Sequence, residues 1–206
     1  MASLYFKYAA MNSGKSTQLL QAQYNYFERG MNPVAMTAQL DTRAGAAKIS
    51  SRLGLDCPAY TFDKTTDIFA FVDDMHKDKR VDILFVDESQ FLSEEQVFQC
   101  ARVVDDLKIP VMCYGLKTDF MGKLFTGSEA LLRLADNIEE IKAICWCGKK
   151  ATMTARLTPK GDMQTAGQQI AIGGNEMYTS LCRKHFMRGE AKALPATAEK
   201  KKSAAA

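Results

Sequence analysis

The sequence lacks the apolar segments that would place the chain in or across a membrane. No run approaches the roughly 18 apolar residues that a membrane span requires. Residues 1–7 contain no charged stretch followed by an apolar one, as a secretory signal does. We therefore expect a cytoplasmic protein with no membrane partner. In that compartment its six cysteines should be thiols or metal ligands and not disulfides.

The sequence also has little excess charge of either sign. The formal net charge is +3, and five of the 27 basic and two of the 24 acidic residues lie in residues 188–206, which leaves 22 of each in residues 1–187. A neutral body lacks the positive surface with which proteins bind nucleic acids, so we expect no nucleic-acid partner. Residues 189–206, rich in Ala and Lys, are predicted to be a disordered tail, and deletion of residues 190–206 is expected to leave catalysis intact.

The residues that are present indicate an α/β domain. With 206 residues, 47% of them hydrophobic and 25% charged, the chain can form one domain with a small appendage. Apolar runs alternate with helical patterns: strands are predicted over 4–8, 34–36, 83–86, 109–114 and 138–144, and helices over 15–29 and after the N-caps Asp67, Ser93 and Ser128. This alternation predicts a mostly parallel sheet flanked by helices over residues 1–144.

A second region, residues 145–188, has too few apolar residues to build a core of its own. It contains a Cys-x-Cys pair and a Cys-x-x-His pair, and three thiolates with one imidazole suit tetrahedral Zn²⁺. The other interpretation, reduced thiols without a metal, fits Cys57, Cys100 and Cys113 better because none has a paired ligand nearby. We predict a small lid domain held together by structural Zn²⁺, with the ligands Cys145, Cys147, Cys182 and His185.

A phosphate-binding loop is predicted between the first strand and the first helix. Backbone N–H groups at a helix N-terminus favour anions, Lys15 would bring a positive charge to a phosphoryl group, and the Ser16 hydroxyl would ligate Mg²⁺. Ala9 stands where a P-loop usually has its first glycine, so the loop must begin there without a positive φ or be remodelled. The predicted nucleotide-binding residues of this loop are Ala9, Ala10, Met11, Asn12, Ser13, Gly14, Lys15 and Ser16.

A second element of a nucleotide site follows the apolar strand at residues 83–86. Asp87 is predicted to hold Mg²⁺, with Glu88, Ser89 and Gln90 beside the nucleotide, so ATP with Mg²⁺ is the expected cofactor. Glu88 could orient water, as in an ATPase, or accept a proton from a substrate hydroxyl, as in a kinase, and the residues alone leave both open. A guanine-reading Asn-Lys-x-Asp motif is not present, because Leu116 occupies the Asn position and has no hydrogen-bonding group.

Taken together, these motifs resemble the thymidine kinases of the cytosolic, zinc-containing type (type II), in their bacterial branch. The resemblance covers roughly residues 3–187 and rests on the altered P-loop, the paired metal ligands, and three further segments: residues 86–91, Asp41-Thr42-Arg43, and Ile172-Gly173-Gly174 with Tyr178. The combination is far more specific than any single motif.

The resemblance implies roles for individual residues. Glu88 would be the catalytic base that deprotonates the nucleoside 5′-hydroxyl, Lys15 and Arg43 would act on the transferred phosphoryl group, and Asp41 would bond the sugar 3′-hydroxyl. The thymidine pocket would include Met11, Asp41, Leu116, Phe120, Phe125, Thr154, Gly173 and Tyr178. The base would be held mainly by the backbone of a loop at about residues 156–174, anchored in the zinc domain.

The leading hypothesis is therefore ATP-dependent phosphorylation of thymidine in pyrimidine salvage. The resemblance further implies a homotetramer and feedback inhibition by thymidine triphosphate. One alternative is a nucleic-acid-stimulated P-loop ATPase in which Glu88 activates water, against which the neutral body of the protein argues. Another is a non-catalytic, zinc-stabilised binding module, in which Lys15, Asp87 and Glu88 together would have no evident use.

Overall fold

The structure, a computed structural model, describes residues 2–41, 47–171, 173 and 177–191. Its strands are β1 (Leu4–Ala9), β2 (Pro33–Ala38), β3 (Lys48–Ser50), β4 (Asp56–Pro58), β5 (Tyr60–Phe62), β6 (Ile83–Val86), β7 (Val111–Leu116), β8 (Asn137–Glu140), β9 (Ala143–Ile144), β10 (Lys150–Ala151), β11 (Met153–Arg156) and β12 (Tyr178–Leu181). Its α-helices are α1 (Lys15–Glu28), α2 (Ile68–Asp78), α3 (Glu94–Asp105), α4 (Thr126–Leu134) and α5 (Arg183–Arg188). A 3₁₀ turn, Ser89–Phe91, follows β6.

The central sheet has six strands in the order β5-β2-β6-β7-β1-β8, and its strand pairs are parallel. Successive residues of β6 point to opposite faces of the sheet. Leu84 and Val86 accordingly pack with residues of α2, α3 and α4, whereas Ile83 and Phe85 pack with Leu19 and other residues on the α1 side. The predicted parallel sheet with helices on both faces is therefore confirmed.

Two of the three predicted N-caps are confirmed and one is wrong. Asp67 accepts a hydrogen bond from the Ala70 N–H, and Ser93 forms a complete capping box with Gln96. Ser128, in contrast, lies inside the first turn of α4. Its hydroxyl donates to the Leu116 carbonyl oxygen at 2.5 Å, so it bonds the end of β7 instead of capping its own helix.

The predicted last strand, residues 138–144, is also wrong as a single element. β8 adds to the edge of the main sheet beside β1, while β9 pairs antiparallel with β10. The chain changes sheets at Ile141, whose N–H still donates to the Tyr8 carbonyl oxygen at 2.8 Å. The three-residue strands β3, β4 and β5 were not predicted, because they are too short to produce a hydrophobic period.

Beyond β9 the chain forms two small antiparallel pairs, β9–β10 and β11–β12, followed by α5. Among the described residues of this region, six buried ones form its core cluster: Ala143, Cys145, Ala151, Ala155, Leu181 and Cys182. A core of this size needs additional stabilisation, which the predicted metal site would supply. Most of the predicted tail, residues 192–206, lies outside the described residues. Among the described helices, none has the length and apolarity needed to cross a membrane.

Candidate functional site

The loop between β1 and α1 has the backbone of an anion-binding turn. Asn12 and Gly14 have φ values of 61° and 81°, and α1 begins directly after Gly14. Ala9 is the last residue of β1 and has no positive φ, so the left-handed positions of this loop lie further along. The Lys15 ammonium donates to the Ala10 carbonyl oxygen at 3.1 Å, which holds it against the loop.

The two predicted Mg²⁺ ligands are adjacent. The Ser16 hydroxyl donates to Asp87 Oδ2 at 3.2 Å, although the two residues are 71 positions apart in sequence. Burial, followed by the neighbouring Glu88 carboxylate, raises the pKa of Asp87 to about 7, while the Lys15 charge acts in the opposite direction. A hydroxyl and a buried carboxylate are the hard oxygen donors that Mg²⁺ prefers, so these residues fit the metal.

Glu88 is held in an uncommon backbone conformation. Its φ of 51° and ψ of 37° lie in the left-handed region, which costs an L-residue roughly 1–2 kcal/mol. The Gln90 side-chain N–H donates to Glu88 Oε2 at 2.5 Å, and the Gln90 side-chain oxygen accepts from the Leu116 N–H at 3.0 Å. The carboxylate is thus tied through Gln90 to the end of β7.

Two cavities meet at this carboxylate. The first, which we call the phosphate cavity, is lined by residues 11–17, by part of the β3–β4 hairpin and by Asp87. The second, which we call the apolar cavity, encloses about 520 Å³ including its open mouth. Met11, Asp41 and Glu88 line both cavities.

All eight predicted substrate-binding residues line the apolar cavity: Met11, Asp41, Leu116, Phe120, Phe125, Thr154, Gly173 and Tyr178. Gln90, which was grouped with the nucleotide segment, lines this cavity too and not the phosphate cavity. Ser89 lines neither; it is fully buried, and its hydroxyl has no hydrogen-bond partner within the described part of the chain. Ala9 and Ala10 are buried behind the loop.

Some cavity residues carried no recognisable sequence signal. Lys48, Ser50, Ser51 and Arg52 reach the phosphate cavity from the β3–β4 hairpin, where the Arg52 guanidinium donates to the Asn12 side-chain oxygen. The apolar cavity is also lined by residues that were not predicted: Leu40, Phe91, Thr118, Asp119, Gln169, Ile170 and Ala171. Arg43, the predicted phosphoryl-contacting residue, lies outside the described residues together with Thr42, Ile172 and Gly174.

The four predicted metal ligands converge in the lid region. Their ligand atoms all lie within 4.8 Å of one another, with Cys145 Sγ and Cys182 Sγ at 3.4 and 3.5 Å from His185 Nδ1. Cys147 Sγ is 4.0 Å from Cys182 Sγ. Tetrahedral Zn²⁺, with bonds of about 2.0–2.3 Å to nitrogen and sulfur, fits these separations. Within the described ranges this is the one group of three or more His, Cys, Asp or Glu side chains placed to hold a metal ion, and it excludes Cys57, Cys100 and Cys113.

The surroundings of the cluster shift the pKa values of its thiols in different directions and orient its histidine. The backbone N–H of His185 lowers the pKa of the Cys182 thiol, whereas burial raises the pKa of Cys145. The Trp146 ring stacks on the His185 ring with a centroid distance of 4.1 Å and an interplanar angle of 9°. A Glu190 carboxylate oxygen lies 3.6 Å from His185 Nε2, the ring nitrogen that faces away from the thiols. Partners of this kind orient a metal-binding histidine.

Comparison with known proteins gives a consistent result over nearly the whole chain. The family model described as "Thymidine kinase" matches residues 2–186. A "Thymidine kinase" of Agrobacterium fabrum is 54% identical over 187 residues, covering 91% of this chain and 97% of its own. A protein of the same name from Aliivibrio fischeri is 51% identical and covers 90% and 97%, and one from Escherichia coli K12 is 52% identical and covers 90% and 91%.

Similarity to solved structures is more distant. The Pif1 helicase from Candida albicans aligns with a TM-score of 0.42 at 12% sequence identity, covering 69% of this chain and 36% of the helicase chain. At that score the likeness has no bearing on function.

Proposed function

Because the chain belongs to the thymidine kinase family, we propose that it transfers the γ-phosphoryl group of ATP to the 5′-hydroxyl of thymidine. The product would be thymidine monophosphate, formed in the salvage of pyrimidine nucleosides. The observation that carries this proposal is the position of Glu88, a buried carboxylate on the boundary between the phosphate cavity and the apolar cavity.

Glu88 is proposed as the general base. The 5′-hydroxyl would lose its proton to the Glu88 carboxylate while its oxygen forms a bond to the γ-phosphorus and the bond from the γ-phosphorus to the bridging oxygen of ADP breaks. A base for this step must reach the acceptor hydroxyl at the point where that hydroxyl meets the γ-phosphoryl group. A carboxylate that lines both cavities satisfies that requirement, and the Gln90 amide holds it there.

The phosphate cavity is proposed to hold ATP with Mg²⁺. The backbone of residues 9–14 would surround the phosphates, and Lys15 would neutralise charge on the transferring group. Ser16 and Asp87 would hold Mg²⁺, which when bound neutralises negative charge on the phosphate oxygens. The Arg52 guanidinium, beside Asn12 in the same cavity, adds a cation there. Arg43 remains proposed as a second phosphoryl-contacting residue.

The apolar cavity is proposed to hold the nucleoside. Its aromatic residues, Phe120, Phe125 and Tyr178, suit a flat pyrimidine ring, and Asp41 would bond the sugar 3′-hydroxyl. Residues 1–144 would then form the nucleotide-binding domain and residues 145–188 a lid domain with structural Zn²⁺. The loop that leaves the lid closes one side of the cavity and would shield the phosphoryl group from water.

The assembly and regulation follow from the family alone. We propose a cytoplasmic homotetramer inhibited by thymidine triphosphate, with no membrane or nucleic-acid partner.

An ADP-release assay over a panel of nucleosides, with and without Mg²⁺, tests the proposal. Mg²⁺-dependent ADP release with thymidine, and none without a nucleoside, is the expected result. Each reaction is repeated with single-stranded DNA in place of the nucleoside. ADP release stimulated by DNA in the absence of nucleoside would instead support the ATPase alternative in which Glu88 activates water.

A further inference from the structure

Arg156, the last residue of β11, is a buried cation at the edge of the apolar cavity. It is 4% exposed and does not itself line the cavity. Its side chain nevertheless contacts groups that form the cavity wall or lie next to it. A buried guanidinium with this set of partners fixes the position of each of them.

The guanidinium contacts two aromatic residues. The Phe120 ring lies 3.9 Å from the guanidinium carbon, in a cation–π arrangement. The Arg156 Nε–H donates to the Tyr178 hydroxyl at 3.1 Å, and that hydroxyl donates in turn to the Ala171 carbonyl oxygen at 2.6 Å. Phe120, Tyr178 and Ala171 all line the cavity.

The two terminal nitrogens of Arg156 bind the loop that closes the cavity. One donates to the Gln168 carbonyl oxygen at 2.8 Å and the other to the Gln169 carbonyl oxygen at 3.0 Å. Directly after these carbonyls come Ile170 and Ala171, which face the cavity. The loop is exposed through most of its length, and these two bonds connect residues 168 and 169 to the end of β11.

A second connection ties the same part of the loop to the main domain. The Gln169 side-chain N–H donates to Asp119 Oδ2 at 2.9 Å, and the other Asp119 oxygen accepts from the Met121 and Lys123 N–H groups. Asp119 is buried and precedes Phe120 in the chain. The loop is therefore held from both sides of the cavity, by Arg156 and by Asp119.

We propose that Arg156 is a positioning residue for the nucleoside: it holds residues 168–171, Tyr178 and Phe120 in the arrangement that forms one wall of the apolar cavity. This inference rests on the proposed function, in which that cavity binds thymidine. Arg156 touches neither the phosphate cavity nor Glu88, so it acts on nucleoside binding and not on the chemical step.

The planar guanidinium is what the arrangement requires. Its donors point in fixed directions within one plane, while both faces remain available for an aromatic ring. A lysine ammonium has one nitrogen and cannot reach the Tyr178 hydroxyl and two successive carbonyls together. Arg156→Lys therefore keeps the positive charge but cannot form the set of directed hydrogen bonds that the guanidinium makes.

The experiment compares Arg156→Lys with wild type in steady-state kinetics and in hydrogen exchange. KM for thymidine should rise at least about tenfold, the change that corresponds to loss of one charge-assisted hydrogen bond. KM for ATP and kcat should stay within about twofold, which lies inside the variation of ordinary surface substitutions. Amides of residues 164–171 should exchange faster in the nucleoside-free variant.

Arg102→Lys is the matched control, because the Arg102 guanidinium also lies 3.9 Å from an aromatic ring, that of Phe69, but on α3 and away from both cavities. It should change neither KM nor loop exchange. The proposal is overturned if Arg156→Lys leaves thymidine KM and loop exchange unchanged, or lowers kcat and raises both KM values together, as general loss of structure would.

If Arg156→Lys does not fold, Tyr178→Phe tests the same proposal, because it removes only the hydroxyl that relays Arg156 to Ala171. Thymidine KM should again rise selectively, and an unchanged KM with unchanged loop exchange contradicts the proposal. The exchange measurement needs no nucleoside, so the role of Arg156 in holding the loop can be judged even if the protein proves not to phosphorylate thymidine.

Discussion

The side-chain amide of Gln90 donates to Glu88 Oε2 at 2.5 Å and at the same time accepts from the Leu116 N–H at 3.0 Å. The second bond fixes the orientation of the amide, because an N–H can be bonded only by its oxygen end. The nitrogen end must then face Glu88. The carboxylate at the meeting point of the two cavities is therefore oriented by the last residue of a central strand.

Glu88→Gln tests the proposed base. An amide of the same size cannot take up the proton of the 5′-hydroxyl, so kcat should fall by roughly 10²–10⁴-fold, the usual contribution of general base catalysis. Binding of ATP, measured by calorimetry, should be retained because Lys15, Ser16 and Asp87 are unchanged. Glu95→Gln, on the exposed surface of α3, is the control and should behave as wild type. Near wild-type kcat in Glu88→Gln would remove Glu88 from the role of base.

Asp87→Asn tests the buried carboxylate in the absence of metal. The pKa of Asp87, raised by burial to about 7, exceeds its value in an unfolded chain. Between about pH 4 and pH 7 the folded protein therefore keeps a proton that the unfolded chain has released, and stability falls as pH rises through that window. In EDTA, the melting temperature of Asp87→Asn should equal that of wild type near pH 4 and should exceed it at pH 8.

Addition of Mg²⁺ with ATP should reverse that order at pH 8. Wild type gains stability from binding, whereas the variant has lost a metal ligand and gains less. The measurement is the melting temperature of each protein over this pH range. Asp162→Asn is the control for loss of an exposed carboxylate. A variant that melts below wild type in EDTA at pH 8 would contradict the destabilising effect of the buried charge.

Cys182→Ser tests the metal centre. Cys182 Sγ contacts both Cys147 Sγ and His185 Nδ1, so its loss removes one ligand from the centre of the cluster. Elemental analysis should show loss of zinc. The melting temperature should fall by roughly 5–10 °C, since each kcal/mol shifts a chain of this size by about 2–4 °C. Cys57→Ala, a buried thiol outside the cluster, should retain the metal, and full zinc occupancy in Cys182→Ser would argue against the site.

Two truncations test whether the tail is dispensable and where it begins relative to the metal centre. The tail was expected to begin at residue 189, yet Glu190 bonds the lid: its N–H donates to the His185 carbonyl oxygen at 2.9 Å, and its carbonyl oxygen accepts from Trp146 Nε1 at 3.2 Å. A chain ending at Ala191 should keep full activity and zinc. A chain ending at Gly189 should bind zinc about 10–100-fold more weakly, the usual effect of losing such a partner.

Competition with a chromophoric chelator measures zinc affinity in both truncated chains. Glu190→Gln in the full-length chain isolates the carboxylate, which lies 3.6 Å from His185 Nε2, from the backbone contacts of the same residue. Equal zinc affinity in the chains ending at Gly189 and Ala191 would show that Glu190 does not support the histidine.

Features with a local cause were predictable from the sequence. The Asp67 and Ser93 caps act over three residues, and the predictions for α2 and α3 are confirmed. Each metal-binding pair spans at most four residues, so its members must lie close together whatever the fold, and the cluster is confirmed as a group that can hold a metal. The prediction that Ser128 caps α4 is wrong because its hydroxyl instead donates to a carbonyl oxygen on β7, which is distant in sequence.

Close backbone approaches were not predictable. A Cβ at Gly115 would lie 2.6 Å from Ser89 Oγ and 2.8 Å from the Gln90 side-chain oxygen, so glycine is needed there for the 3₁₀ turn after β6 to pack against β7. Nothing next to Gly115 in the sequence indicates this contact. The placement of Gln90, and with it the orientation of Glu88, depends on the space that this glycine leaves.

The sequence by itself determined the parallel sheet, the loop between β1 and α1 that opens the first helix, and both pairs of residues that can hold a metal. Hydrophobic period, capping and chelation act over a few neighbouring positions. Only the tertiary structure decided that Arg52 reaches Asn12 across 40 residues and that Gln169 reaches Asp119 across 50. The same holds for Arg156, whose partners come from three separate parts of the chain. Such contacts depend on how helices, strands and loops pack together. The number of residues between two positions does not determine the distance between them in the packed structure.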